Sequence, residues 1–199
     1  QGAPQRTPPD TGEEQLEPYR LCGGVLCQAG VDSIDADELW TQAKSPARKI
    51  DGNFFRLENG RWRKFRSIPG GEHVHDLAYL DGAIYAVGSG ADDRAEFEGG
   101  QVFRYLWRST DGGASFAVVH RVRYPKLAKG DTRFRKLLAV GRTLYAFGYV
   151  NPYVDGGPLE GRHVRLAGDE LQELAGELAR LVVQRTFELP DGTGLVVTR

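Results

Sequence analysis

The sequence predicts an all-β protein built from antiparallel four-stranded sheets. Glycine and proline supply 26 and 10 of the 199 residues, which is typical of a chain with many tight turns. From residue 53 onward, short apolar runs alternate with turns, and Asn59-Gly60 and Asp81-Gly82 are strong local signals for β-hairpins. One of these hairpins also recurs later in the chain, which indicates a repeated structural unit.

Three regions are predicted along the chain. Residues 1–18 contain four prolines and few large apolar side chains, so we expect an extended or disordered N-terminal arm. Residues 19–48 form a lead-in with one short helix over 36–44, because Asp35 and Glu38 have the spacing of a capping box and Ser45-Pro46 ends the helix. Residues 49–199 carry the sheets.

Six hairpins are predicted within this third region. They pair 53–57 with 61–65, 73–80 with 83–88, 101–108 with 115–123, 133–140 with 143–149, 163–166 with 170–174, and 181–188 with 194–198. Residues 169–183 also fit an amphipathic helix, since four leucines fall on one stripe. The match of residues 164–174 with 55–65 favours the hairpin.

The repeat indicates how the hairpins combine. Residues 77–88 align without gaps on 137–148, a weaker third copy ends at 191–197, and hairpins of a second kind lie between the copies. A period of roughly 50 to 60 residues that carries four short strands is typical of β-propeller blades. We therefore expect a propeller or partial propeller of about three blades per chain, whose open edges are covered by a protein partner or a second copy.

One turn carries a specific motif. Residues 109–116, Ser-Thr-Asp-Gly-Gly-Ala-Ser-Phe, resemble the Asp-box or bacterial neuraminidase repeat, Ser-x-Asp-x-Gly-x-Thr-Trp, with Ser115 and Phe116 as mild departures. In that family the motif lies on the turn between the third and fourth strands of a blade, away from the catalytic face. The resemblance therefore implies a structural role for Ser109, Asp111, Gly113 and Phe116.

The resemblance does not extend to sialidase catalysis. The nearest counterpart of the family's early Arg-Ile-Pro is residues 66–69, which have one residue inserted, and the chain is too short for six blades. The Walker, GxSxG and HExxH motifs are also missing from the sequence. We predict no catalytic residue, and the sequence favours a role other than that of an enzyme.

Composition excludes several partners. The 26 basic and 27 acidic side chains give a formal net charge of -1, which does not favour nucleic acid binding. The longest apolar runs, such as residues 137–140, are far shorter than the roughly 20 residues of a membrane-spanning helix, so no transmembrane segment is predicted.

The two cysteines bear on the compartment. Cys22 and Cys27 flank a short loop with two glycines, which favours a local disulfide over free thiols or a metal site. The chain has no methionine and begins with Gln1, as a mature form would after removal of a leader. We predict an exported protein, either periplasmic or extracellular.

Two candidate sites emerge. His73 and His75 alternate onto one face of a strand, where they could bind a metal ion with Asp76 or His120, although polar residues at a strand start are the simpler interpretation. No other cofactor is predicted. Loops 89–100 and 149–161 occupy equivalent positions and suit calcium, carbohydrate or a protein contact. Their candidate residues are Asp92, Asp93, Glu96, Tyr149, Asn151, Tyr153 and Asp155.

Three functions are consistent with these features. The first is a non-enzymatic, exported accessory or scaffold subunit that mediates protein–protein interaction in a larger assembly, including a membrane-associated one. The second is a propeller that binds or hydrolyses glycans through loops 89–100 and 149–161. The third is a metal-binding propeller that uses His73 and His75.

Overall fold

The computed structural model describes residues 19–30, 51–91, 103–123, 131–151 and 159–198. Within these ranges the chain forms fourteen β-strands and one short 3₁₀ helix, which confirms the all-β prediction. The predicted N-terminal arm, 1–18, and the predicted helix, 36–44, lie outside the described residues. No helix of the described part is long and apolar enough to span a membrane.

The first sheet contains two strands that were not predicted. Residues 20–30, which the sequence assigned to the lead-in, form a hairpin around Gly23 and Gly24, both with positive φ. The first of these strands has three residues, too few to show an alternating pattern. The four antiparallel strands, in spatial order, are β1 (Arg20–Cys22), β2 (Val25–Gly30), β3 (Asp51–Glu58) and β4 (Arg61–Pro69).

The second and third sheets confirm the predicted hairpins and their order. Each has four antiparallel strands that follow one another in the chain. The second sheet comprises β5 (His73–Leu80), β6 (Ala83–Gly90), β7 (Phe103–Ser109) and β8 (Ala117–Arg123). The third comprises β9 (Asp131–Val140), β10 (Thr143–Asn151), β11 (Glu160–Ala167) and β12 (Glu170–Glu173).

The chain then begins a fourth unit. Its two strands are β13 (Val183–Glu188) and β14 (Gly194–Thr198), which pair with each other. The helix proposed as an alternative over 169–183 is limited to the 3₁₀ helix Leu178–Arg180, and the favoured hairpin, β11 with β12, is present. The described residues thus form three complete four-stranded sheets and a further hairpin.

Apolar side chains fill the spaces between neighbouring sheets. One cluster lies between the first and second sheets and includes Phe54, Ile68 and Trp107, and another joins the second and third sheets through Leu106 and Phe134. A smaller cluster joins the third sheet to the last hairpin. The first strand of each unit contacts the first strand of the next unit: β1 contacts β5, β5 contacts β9, and β9 contacts β13. These four strands therefore lie side by side.

A β-bulge recurs at equivalent places in the second and third sheets. The register shifts between Val74 and Asp76 in β5, and beside Gly148 where β10 pairs with β9. A Cβ atom on Gly88 would lie 1.9 Å from the carbonyl oxygen of His73, and one on Gly148 would lie 2.5 Å from that of Arg133. The bulges bring these backbones so close that glycine is required at both repeated positions.

Replacement of Gly88 by alanine tests this requirement. Because the new methyl group would overlap a backbone oxygen, we expect Gly88→Ala to lower the free energy of unfolding by about 3 kcal/mol or more. Gly141→Ala is the matched control, since its Cβ meets open space and only its positive φ is strained, at about 1 kcal/mol. Urea unfolding of both variants measures the difference, and equal losses would contradict the steric explanation.

Candidate functional site

The strands of the second and third sheets end on two opposite sides of the molecule, which we call edges. We call the edge where β6 and β10 end, at Gly90 and Asn151, the long-loop edge, because both predicted loops start there. The opposite, tight-turn edge carries the two-residue turns that connect β5 to β6 and β9 to β10. His73 lies at the long-loop edge, since it pairs with Ser89 near the end of β6.

Only the strand ends of the predicted loop site are described. Tyr149 lies in β10 opposite Arg133, whose guanidinium carbon is 5.9 Å from the centre of the tyrosine ring. Asn151 is the last residue of β10. The other loop candidates, Asp92, Asp93, Glu96, Tyr153 and Asp155, lie outside the described residues.

Arginine side chains stack on aromatic rings near this edge. The guanidinium carbon of Arg104 lies 4.9 Å from the Phe134 ring centre, and that of Arg121 lies 4.6 Å from the Phe103 ring centre. Arg104 is buried, and the sequence analysis did not single it out because alternation along β7 is not distinct enough to reveal a buried arginine. Guanidinium groups fixed on rings can hydrogen-bond to ligand oxygens with little loss of conformational entropy.

His73 and His75 are neighbours at the start of β5. Their ring centres are 5.9 Å apart with an angle of 18° between the planes, so the imidazoles are stacked. His75 is buried, and His73 Nδ1 lies 3.7 Å from the carboxylate of Glu72. The pair is therefore together at the long-loop edge.

The carboxylate of Asp76 makes structural contacts instead of completing a metal site with these histidines. It binds Arg20 and two backbone amides, as described below, and the other proposed ligand, His120, lies in β8 against Phe134. Among the described residues no three His, Cys, Asp or Glu side chains are grouped so that they could hold a metal ion. Metal binding by His73 and His75 stays a prediction.

Asp76 joins three sheets. Its Oδ1 lies 2.7 Å from Nη2 of Arg20 in β1 and accepts a hydrogen bond from its neighbour Leu77 N at 2.9 Å. Its Oδ2 accepts a hydrogen bond of 3.0 Å from Leu137 N in β9, while Arg20 Nε donates to Leu77 O at 3.2 Å. Burial raises the pKa of Asp76, and Arg20 and the Leu137 amide act in the opposite direction.

Hydrogen bonds between side chains and backbone groups also join the third sheet to the last hairpin. Thr186 Oγ1 donates a 2.7 Å hydrogen bond to Leu137 O, and Ala139 N donates to a carboxylate oxygen of Glu188 at 3.3 Å. Within the described residues, strand β9 pairs with β10 on one side only. On its other side, side chains of β13 bind its backbone groups. The roles of Arg20, Thr186 and Glu188 could not be predicted from the sequence, because such contacts join strands that are distant along the chain.

The other two histidines support the fold. His163 Nδ1 accepts a 3.1 Å hydrogen bond from Gly148 N, so its proton is on Nε2, which lies 2.8 Å from Leu181 O. Burial lowers the pKa values of both His163 and His120, so the neutral imidazoles are favoured. His163 therefore fixes the segment around the 3₁₀ helix on the third sheet.

The turn from Ser109 to Phe116 is held by its own side chains. Asp111 accepts hydrogen bonds from the Ser115 hydroxyl at 2.6 Å, the Ser115 amide at 3.0 Å and the Ser109 hydroxyl at 2.7 Å, which lower its pKa to about 2. Gly113 N donates to Ser109 Oγ at 2.9 Å. Phe116 is buried edge-on against Phe54, so the turn also attaches the second sheet to the first.

The two cysteines are close neighbours in the first hairpin. Cys22 and Cys27 are buried free thiols in the structure. The Cys22 thiol donates a hydrogen bond to Cys27, and this bond and burial both raise the pKa of Cys22. The disulfide between them stays a prediction.

Comparison with known proteins rests on three-dimensional similarity. No protein-family model matches the sequence, and no curated protein matches it. The GH93 α-L-arabinofuranosidase of Fusarium graminearum, solved with arabinobiose, aligns over 98% of this chain and 58% of its own with a TM-score of 0.58 and 11% identity. The α-L-arabinanase of Penicillium chrysogenum, also solved with arabinobiose, aligns over 98% of this chain and 60% of its own, with a TM-score of 0.56 and 13% identity.

A protein of unknown function from Dyadobacter fermentans matches similarly, over 96% of this chain and 57% of its own, with a TM-score of 0.54 and 13% identity. The chain has the fold of a partial β-propeller. It spans less than two thirds of the length of these structures. The three sheets are accordingly blades, and their first strands lie nearest the propeller axis.

Substitution of Asp76 tests its contribution to the propeller. Asp76→Asn removes the charge that faces Arg20 and weakens the contact between the first and second blades. We therefore expect a loss of about 3 kcal/mol in the free energy of unfolding. Asp81→Asn is the control, because Asp81 forms an exposed ion pair with Arg142 at 3.5 Å and should cost less than about 1 kcal/mol. Equal effects in thermal or denaturant unfolding would refute the assignment.

Proposed function

We propose that this protein is a carbohydrate-binding propeller whose glycan site lies at the long-loop edge. The observation that carries the proposal is the alignment of nearly the whole chain on two fungal propellers that are named for their action on arabinose-containing glycans and contain bound arabinobiose. These neighbours support the glycan hypothesis better than the scaffold hypothesis. At 11–13% identity they support the ligand class and not a particular sugar.

The described part of the edge has suitable chemistry. Sugar rings bind proteins through aromatic faces and through hydrogen bonds to their hydroxyl groups, and Tyr149, Arg133 and His73 supply both kinds of group. The predicted loop residues follow directly from these strand ends. Hydrolysis would require two carboxyl groups around the scissile bond. The acidic loop candidates Asp92, Asp93 and Glu96 would be the first to examine.

A glycan array with the intact chain tests the proposal. We expect binding to at least one plant or microbial glycan, and Tyr149→Ala combined with Tyr153→Ala should weaken it by about ten-fold, since each ring contributes stacking energy. Tyr79→Ala, in the tight-turn half of β5, should leave it unchanged. Release of reducing sugar from arabinan would add hydrolysis. An array without binding, or a double variant that binds normally, would contradict the proposal.

The motif in the second blade supports the resemblance to Asp-box propellers. We infer that residues 109–116 are an Asp-box, because the carboxylate of Asp111 accepts hydrogen bonds from both serines and Phe116 is buried against Phe54. The turn connects β7 to β8, the third and fourth strands of its blade. The inferred role is structural.

Export, the disulfide and the metal site are further proposals. We propose an oxidising compartment for the protein on the basis of the Cys22–Cys27 spacing, in which the two thiols would form a disulfide. The metal site rests on His73 and His75 alone.

A protein-interaction role is favoured by the last hairpin. Val196 packs toward the third blade, whereas Leu195 and Val197 are exposed by 47% and 40%. Exposed apolar faces of this kind are typical of interfaces. We propose that a second copy of the chain covers this face, in agreement with the expected scaffold or accessory role.

Light scattering after gel filtration tests the second-copy proposal. We expect a native mass of twice 22.0 kDa, and Leu195→Lys should return it to the monomer because a charge would be buried in the interface. Val118→Lys, at an exposed apolar position in β8, should leave the dimer intact. A monomeric protein would contradict self-association.

A further inference from the structure

A cavity opens on the propeller axis, in the half of the inner strands next to the tight-turn edge. It has a volume of about 280 Å³ and lies among β1, β5, β9 and β13. Its walls include residues 77–79 and 186–188, in the halves of β5 and β13 that lead into their turns. The cavity is therefore separate from the proposed glycan site at the long-loop edge.

Three large apolar residues from different sheets line this cavity. Leu21, Tyr79 and Phe187 line it and are exposed by 64%, 39% and 45%. Each could be buried by a ligand at a gain of roughly 25 cal/mol per Å² of apolar surface. Their convergence on one concave surface indicates an apolar ligand group.

The cavity also has one fixed group of each charge. Arg20 is held by Asp76 through Nη2 and by Leu77 O through Nε, and among the described residues its Nη1 has no hydrogen-bond partner. Glu188 is held through one carboxylate oxygen by the amide of Ala139. Both side chains are anchored by the propeller, so neither needs to be ordered by the ligand.

We propose that this cavity binds a free α-amino acid with a large apolar side chain. The ligand carboxylate would bind Arg20, the ammonium group would bind Glu188, and the side chain would contact Tyr79 and Phe187. The volume lies at the low end of the roughly 300–1,000 Å³ of ligand pockets, which suits a ligand of one residue and not an oligosaccharide. This inference is independent of the proposed glycan function.

Isothermal titration of the intact chain with L-phenylalanine tests the proposal. We expect L-phenylalanine to bind, and N-acetyl-phenylalanine and phenylalanine amide to bind at least about ten-fold more weakly, because each lacks one charged group. The N-acetyl compound also represents the carboxyl terminus of a peptide. Equal binding of the free and N-acetylated amino acids would overturn the proposal, as would the absence of binding by L-phenylalanine.

A conservative variant separates recognition from folding. Glu188→Gln keeps an oxygen that can accept the hydrogen bond from Ala139, so the fold should be preserved, while affinity for L-phenylalanine should fall by about ten-fold. Glu170→Gln, an exposed position in β12 that does not line the cavity, is the matched control. Unchanged affinity in a folded Glu188→Gln protein would overturn the assignment. Tyr149→Ala should retain amino acid binding, which distinguishes this site from the glycan site.

Discussion

The carboxylate of Asp76 is the contact on which the arrangement of the first three blades depends. It binds Arg20 of the first blade, the amide that follows it in the second, and Leu137 N of the third. A buried charge of this kind is destabilising without its partners, so the three blades must take their relative positions together. The same contact anchors the guanidinium group that lines the axial cavity, and thereby connects blade assembly to a binding surface.

Close backbone approach is the second constraint on the propeller. The bulges in β5 and β9 bring the carbonyl groups of His73 and Arg133 against Gly88 and Gly148. The bulge also offsets the alternation of β5, so that Val74 and Leu77 both pack in the core between the first two blades. The repeated glycine therefore has a geometric reason in the second and third blades, close to the strand ends from which the candidate loops begin.

The two proposed sites lie at opposite edges of the propeller, and these edges differ in the length of the connections between strands. Loops 89–100 and 149–161 leave the blades beside His73 and Tyr149, where stacked arginines and aromatic rings suit an extended polar ligand. At the tight-turn edge the connections are short and do not cover the inner strands. Side chains such as Thr186 and Glu188 bind the exposed backbone there. Both side chains also line the axial cavity.

The sequence by itself determined the six hairpins that follow residue 50, their order and the blade repeat, because turn residues such as Asp81-Gly82 and alternating apolar positions act over a few neighbours in the chain. It also located the turn around Asp111, whose hydrogen bonds are local. Only the tertiary structure decided that Arg20 belongs to an inner strand, that Asp76 links blades, and that Glu188 lines the axial cavity. These contacts join residues dozens of positions apart, and pairing between distant strands is set by packing of whole sheets, which local patterns do not encode.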